Sequence, residues 1–144
     1  SKYNMRPTGA AGSIVKIRAS GKIDGKPVTF SEDFRIKDIP PAVGMVRGQY
    51  GTVRMPKSSA TNVAIRAGLP DFLFDLKLQV SSFSVKVPGQ LPVKCNGGLS
   101  AKAKQMINKA RRGDVITIYD IKAKVTNSGY QIKKVLPVNI EITN

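Results

Sequence analysis

Residues 71–88, DFLFDLKLQVSSFSVKVP, carry the reading on which the fold turns. Phe72, Phe74, Leu76, Leu78 and Val80 alternate with Leu73, Asp75, Lys77 and Gln79, the period of a strand with one buried face. Past Ser81-Ser82 the phase flips, and Phe83, Val85 and Val87 become the apolar set. A one-residue slip inside a continuous strand pattern is what a β-bulge produces. Pro88-Gly89 closes the run.

C-terminal to this stretch, residues 100–112 (SAKAKQMINKARR) read as a helix. Ser100 is the cap, Ala103, Met106, Ile107 and Ala110 form the apolar stripe, and Gly113 stands at the left-handed stop. Two strands follow, 115–125 (VITIYDIKAKV) and 130–143 (YQIKKVLPVNIEIT), joined by the turn cluster Thr126-Asn127-Ser128-Gly129. Pro137 demotes part of the last run to an edge or a bulge.

N-terminal to it, residues 59–67 (SATNVAIRA) are expected to form a short helix capped by Ser58 or Ser59 and stopped at Gly68. Short strands are expected at Val43–Val46 and Gly51–Met55. Pro40-Pro41 remove two backbone donors and mark a boundary. Before them, 14–23 (IVKIRASGKI) and 28–37 (VTFSEDFRIK) alternate as two strands around the tight turn Asp24-Gly25. Residues 1–13 have no period. The expected fold is therefore mainly β (α+β): an immunoglobulin-like or sandwich-type β domain with one amphipathic helix over 39–144, preceded at 1–38 by a β-hairpin from an adjoining domain. An isolated hairpin is marginal in water, so this one needs either the following sheet or the rest of a preceding domain.

Composition narrows the function. The 144 residues hold 24 Lys and Arg against 9 Asp and Glu, a formal charge of +15, with no His, no Trp and one Cys. Residues 1–38 carry eight cations and four acids, residues 39–144 sixteen and five. Without His the chain lacks the commonest general base and zinc ligand. Cys95 alone makes neither an internal disulfide nor a Cys-rich metal site, and its place at a strand end reads as packing. Asp71 and Asp75 share one side of the expected strand, without a cleft signal for acid–base chemistry. Arg112-Gly113-Asp114 spells an adhesion tripeptide by chance, at a helix end. No enzyme, cofactor or metal is expected. No run reaches the ~18–20 apolar residues of a membrane span, and neither a signal peptide nor an initiator Met is present, so the chain reads as an excised piece of something longer.

The charge points to an anionic or acidic partner. Lys102, Lys104, Lys109, Arg111 and Arg112 lie on the expected helix opposite its apolar stripe, within a stretch from Leu76 to Gly113 that holds no acid. They are the candidate partner-binding residues. The bland alternative is a solvated face whose arginines complement the helix macrodipole. Nucleic acid is not expected: the aromatics sit at apolar strand phases (Phe72, Phe74, Phe83) rather than between exposed cations, and no zinc-finger or RNA-recognition signature is present.

Phe34–Pro41 (FRIKDIPP), Phe83–Pro88 (FSVKVP), Ala103–Val125 (AKQMINKARRGDVITIYDIKAKV) and the closing VLPVNIEITN together resemble the C-terminal region of the PorM/GldM family of gliding-motility and type IX secretion subunits. The FRIKDIP segment is similar to the end of that family's penultimate periplasmic domain, and residues from about 39 onward to its last domain. The resemblance implies an inner-membrane helix followed by an elongated, homodimeric periplasmic rod. That rod couples an inner-membrane motor partner to outer-membrane ring proteins, with the last domain at the ring. It brings no catalytic motif. Two rival readings are a basic nucleic-acid-binding module and a generic extracellular immunoglobulin-like adhesion domain.

Overall fold

Asp24 and Gly25 both take positive φ, 53° and 76°, in the computed structural model, which describes residues 8–144. Two such residues in succession make a tight turn whose twist matches that of the strands it joins. Strands β1 (Ile14–Ile23) and β2 (Lys26–Arg35) pair antiparallel through it, with Val15 opposite Phe34, Ala19 opposite Phe30 and Gly21 opposite Val28. Cross-strand partners share a face, so these residues and Ile17 form one largely apolar side, as the alternation required, with Glu32 opposite Ile17. That side is open, with Phe30 68% and Phe34 48% exposed. The chain divides into two compact units, the first ending at Ile39 and the second spanning Pro40–Asn144.

The second unit is a two-sheet β structure. Its strands are β3 (Ala42–Val46), β4 (Thr52–Met55), β5 (Ile65–Gly68), β6 (Leu78–Lys86), β7 (Val93–Asn96), β8 (Val115–Val125), β9 (Val135–Leu136) and β10 (Val138–Ile142). Five of them form one sheet in the order β4-β10-β8-β6-β7, three another in the order β5-β3-β9. Val46 and Ile65 from the smaller sheet join Val53, Phe83, Val85, Ile116, Ile118 and Ile140 from the larger in one buried cluster. The mainly β, sandwich-type expectation holds.

Helix α2 (Ala101–Asn108) closes the core with Ala103, Met106 and Ile107. Ser100 caps it as expected, its Oγ accepting from the Ala103 N–H at 3.1 Å. The helix is shorter than its 100–112 signal. Lys109 is the C-cap, Ala110 bonds back to the Ile107 carbonyl, and residues 111–114 form a turn closed by the Asp114 N–H on the Arg111 carbonyl. Gly113, at φ 87°, donates to the Ile142 carbonyl, so β10 captures the backbone before another helical turn can form.

Two other expectations are corrected. The helix expected over 59–67 shrinks to α1 (Lys57–Ala60), behind Pro56 rather than a serine cap, and Ile65–Gly68 is strand. Thr61, Val63 and Ile65 are β-branched, which weakens the helix, and pairing of β5 with β3 satisfies the same backbone. Residues 71–77 are irregular despite their alternation, with Leu73 94% and Phe74 68% exposed. Phe74 is therefore no core residue, and Phe72 is only half-buried, touching Phe74 edge-on at 5.6 Å. The physical reason is want of a neighbour: β8 ends at Val125 opposite Leu78, and after the Thr126 N–H on the Lys77 carbonyl the chain turns away, so a strand extending ahead of Lys77 would have no ladder partner.

The phase slip at Ser81-Ser82 is a real irregularity of the ladder. Register shifts between Val80 and Ser82, and again between Ser82 and Ser84. Ser81 steadies it, its Oγ donating to the Lys122 carbonyl at 3.2 Å while its own carbonyl accepts from Gly97. Pro137 separates β9 from β10, which belong to different sheets. The last run is thus two strands with the proline at the crossing, and β9 before it is an edge of its sheet, as the proline required.

Candidate functional site

The five candidate cations are all exposed, but the structure does not array them on one helix face. Lys102 and Lys104 flank the buried stripe of α2, two residues and hence about 200° apart. Lys109 stands at the C-cap, and Arg111 and Arg112 lie in the turn beyond. What unites them is want of acid. Among the described residues the side-chain ion pairs are Arg54 with Glu141 at 3.3 Å and Lys122 with Asp120 at 3.1 Å, neither involving these five. The nearest carboxylate in sequence, Asp114, is occupied by the Arg111 backbone N–H at 2.8 Å. The result is a loose cationic end rather than a stripe.

Cys95 is buried on β7, its Sγ 3.6 Å from the Ser100 Oγ. No group of three or more His, Cys, Asp and Glu that could hold a metal occurs among the described residues, and none of their helices is long and apolar enough to cross a membrane.

A second cationic feature escaped the sequence reading. Arg47 and Gly48 form a two-residue turn at φ 51° and 75°, closed by reciprocal Val46 and Gln49 backbone bonds of 2.9 Å. Arg47 overlooks an open depression of about 450 Å³, lined also by Ser58, Ser59, Asn62 and Arg66. A wider hollow continues from Ala64 and Arg66 along β5 to Leu76, Leu78 and Val80. The elements that build this trough are the β3–β4 turn, α1 and β5, which follow one another within residues 47–68, and its wider end is closed by residues 76–80. Only the left-handed turn position had a local signal, a Gly after Arg47.

Fold and surface together define a β-sandwich domain whose prominent surface chemistry is unpaired positive charge. The chain belongs to a known family: residues 40–143 match the model of the GldM C-terminal domain. This ties it to the gliding-motility and type IX secretion machinery. No curated protein matches the chain.

Proposed function

We propose that this chain is the distal part of a structural, energy-transducing stalk subunit of the type IX secretion and gliding machinery. In this reading it is periplasmic, belongs to a protein anchored in the inner membrane beside a motor partner, and docks outer-membrane ring components. It carries no catalytic role. The observation that carries the reading is the family match over residues 40–143. The two-sheet architecture supports it: a β sandwich with one continuous buried cluster passes force through packed strands. The cations Lys102, Lys104, Lys109, Arg111 and Arg112, none in an ion pair among the described residues, are the docking residues, steering an acidic ring surface and fixing its orientation more than setting affinity. The open apolar side of the hairpin supports a homodimer, since a second copy would cover Phe30 and Phe34.

Light scattering coupled to size exclusion, with purified ring components added at low and high salt, tests this. Co-elution that weakens as salt rises is the expected result. Reversal of all five cations to Glu should weaken docking by tenfold or more. A chain that ignores the ring but shifts with nucleic acid would overturn the reading in favour of a basic nucleic-acid-binding module.

A further inference from the structure

The trough beside β5 has properties that packing alone does not require. Arg47 holds a left-handed backbone at φ 51°, where Asn, Asp or Gly is favoured and a longer side chain is strained. Strain of this kind, kept at a concave surface, points to a use for the side chain. Neither Arg47 nor Arg66 is in an ion pair among the described residues. No carboxylate lines either hollow, and three of the unit's five acids are engaged elsewhere: Asp114, Asp120 and Glu141. Two guanidiniums therefore face one open space with no internal counter-charge.

The trough's other half adds apolar side chains. From Arg66 it runs past Ala67 to Leu76, Leu78 and Val80, with Lys77, Gln79 and Thr126 as its polar lining. β5 is the outermost strand of its sheet, and the hollow runs between it and the start of β6. Arginines at one end and the side chains of Leu76, Leu78 and Val80 along the other fit an extended chain. Such a segment lays its alternate side chains into the hollows.

We propose that this trough receives an extended acidic–apolar segment of a partner protein, its carboxylate held between Arg47 and Arg66 and its apolar residues against Leu76–Val80. A carboxylate suits the site because guanidinium donors present a planar fork to it. The hollows are open, which suits a passing segment better than an enclosed small molecule. The site adds a surface to the docking role proposed above, but its test does not depend on that role.

The test titrates the 144-residue chain, ¹⁵N-labelled, with a blocked hexapeptide alternating Asp with Val and Leu, and with the same peptide carrying Asn for Asp. The expected result is movement of the amides of 46–48 and 64–67 with the acidic peptide, and at least tenfold weaker binding of the Asn peptide. Arg47→Asn with Arg66→Ser should weaken the acidic peptide by tenfold or more. Arg47→Asn alone should leave Tm unchanged or raise it, because Asn suits the left-handed turn, and so separates lost binding from lost fold. Unmoved amides at those positions, or equal affinity for both peptides, would overturn the proposal. So would inorganic phosphate moving the same amides and displacing the peptide completely, which would mark a simple oxyanion site. Ring co-elution that fails while the peptide binds would count against the docking reading and not against the trough.

Discussion

At the scale of single residues, Gly44 is a crowded point of the sandwich. A Cβ there would stand 2.5 Å from the Ile121 Cδ1 and 3.0 Å from the Leu136 carbonyl oxygen. The isoleucine tip can rotate, but the carbonyl belongs to β9, which β3 must pair with. Gly44→Ala should therefore destabilise the second unit by about 1–3 kcal/mol, read as a lowered Tm in thermal unfolding. Ser100 is a milder case. Its hydroxyl satisfies one N–H of α2, and Ser100→Ala should cost about 1 kcal/mol with binding unchanged. The capping serine was legible because Ser–x–x before an apolar stripe is a local signal. Gly44 was not, because its crowding comes from Ile121 and Leu136, far along the chain.

At the scale of elements, β6 and β8 slip together. Ser82 pairs with Lys122 and Ser84 with Tyr119, so β8 spends an extra residue where β6 has already inserted one. Asp120 sits there at φ 48°, its carboxylate on Lys122. On β8 the buried set accordingly passes from Ile116 and Ile118 to Ile121 and Ala123, the same flip that β6 makes before Phe83. The paired irregularity lets both strands change face without losing register. Deleting Ser82 should remove the compensation, turn Phe83 and Val85 from the core and cost at least about 3–5 kcal/mol, seen as loss of a cooperative unfolding transition. The helix behaves differently. Reversing Lys102, Lys104, Lys109, Arg111 and Arg112 to Glu changes only exposed side chains. Acid gained in the first turn of α2 and at its end acts oppositely on the macrodipole, so Tm should stay within a few degrees while docking falls.

At the scale of the molecule, charge and exposed apolar surface set association. A formal charge of +15 disfavours self-association at low salt through repulsion, whereas the hairpin's apolar side favours it. The dimer proposed above should therefore tighten as salt rises, opposite to the weakening of the proposed charge-led docking, and sedimentation at two ionic strengths separates the two effects. Phe30→Lys with Phe34→Lys should shift the chain to monomer with the second unit's unfolding unchanged. A dimer that persists in this variant would place the dimer contact elsewhere.

The hairpin, the capped helix, the bulge at Ser81-Ser82 and the mainly β class were determined by the sequence itself, because each rests on contacts between near neighbours or on a period that one strand carries alone. Motif order likewise sufficed to suggest the family that residues 40–143 match. The tertiary structure decided what depends on a partner strand. It left 71–77 outside the sheet although their alternation is regular, made 65–68 strand, cut α2 at Lys109 by pairing Gly113 with Ile142, and sent the chain from one sheet to the other at Pro137. It also gathered Arg47, α1 and Arg66 around one trough. A periodic segment states which face it would bury, but whether a ladder stands beside it is settled only by chain that lies tens of residues away.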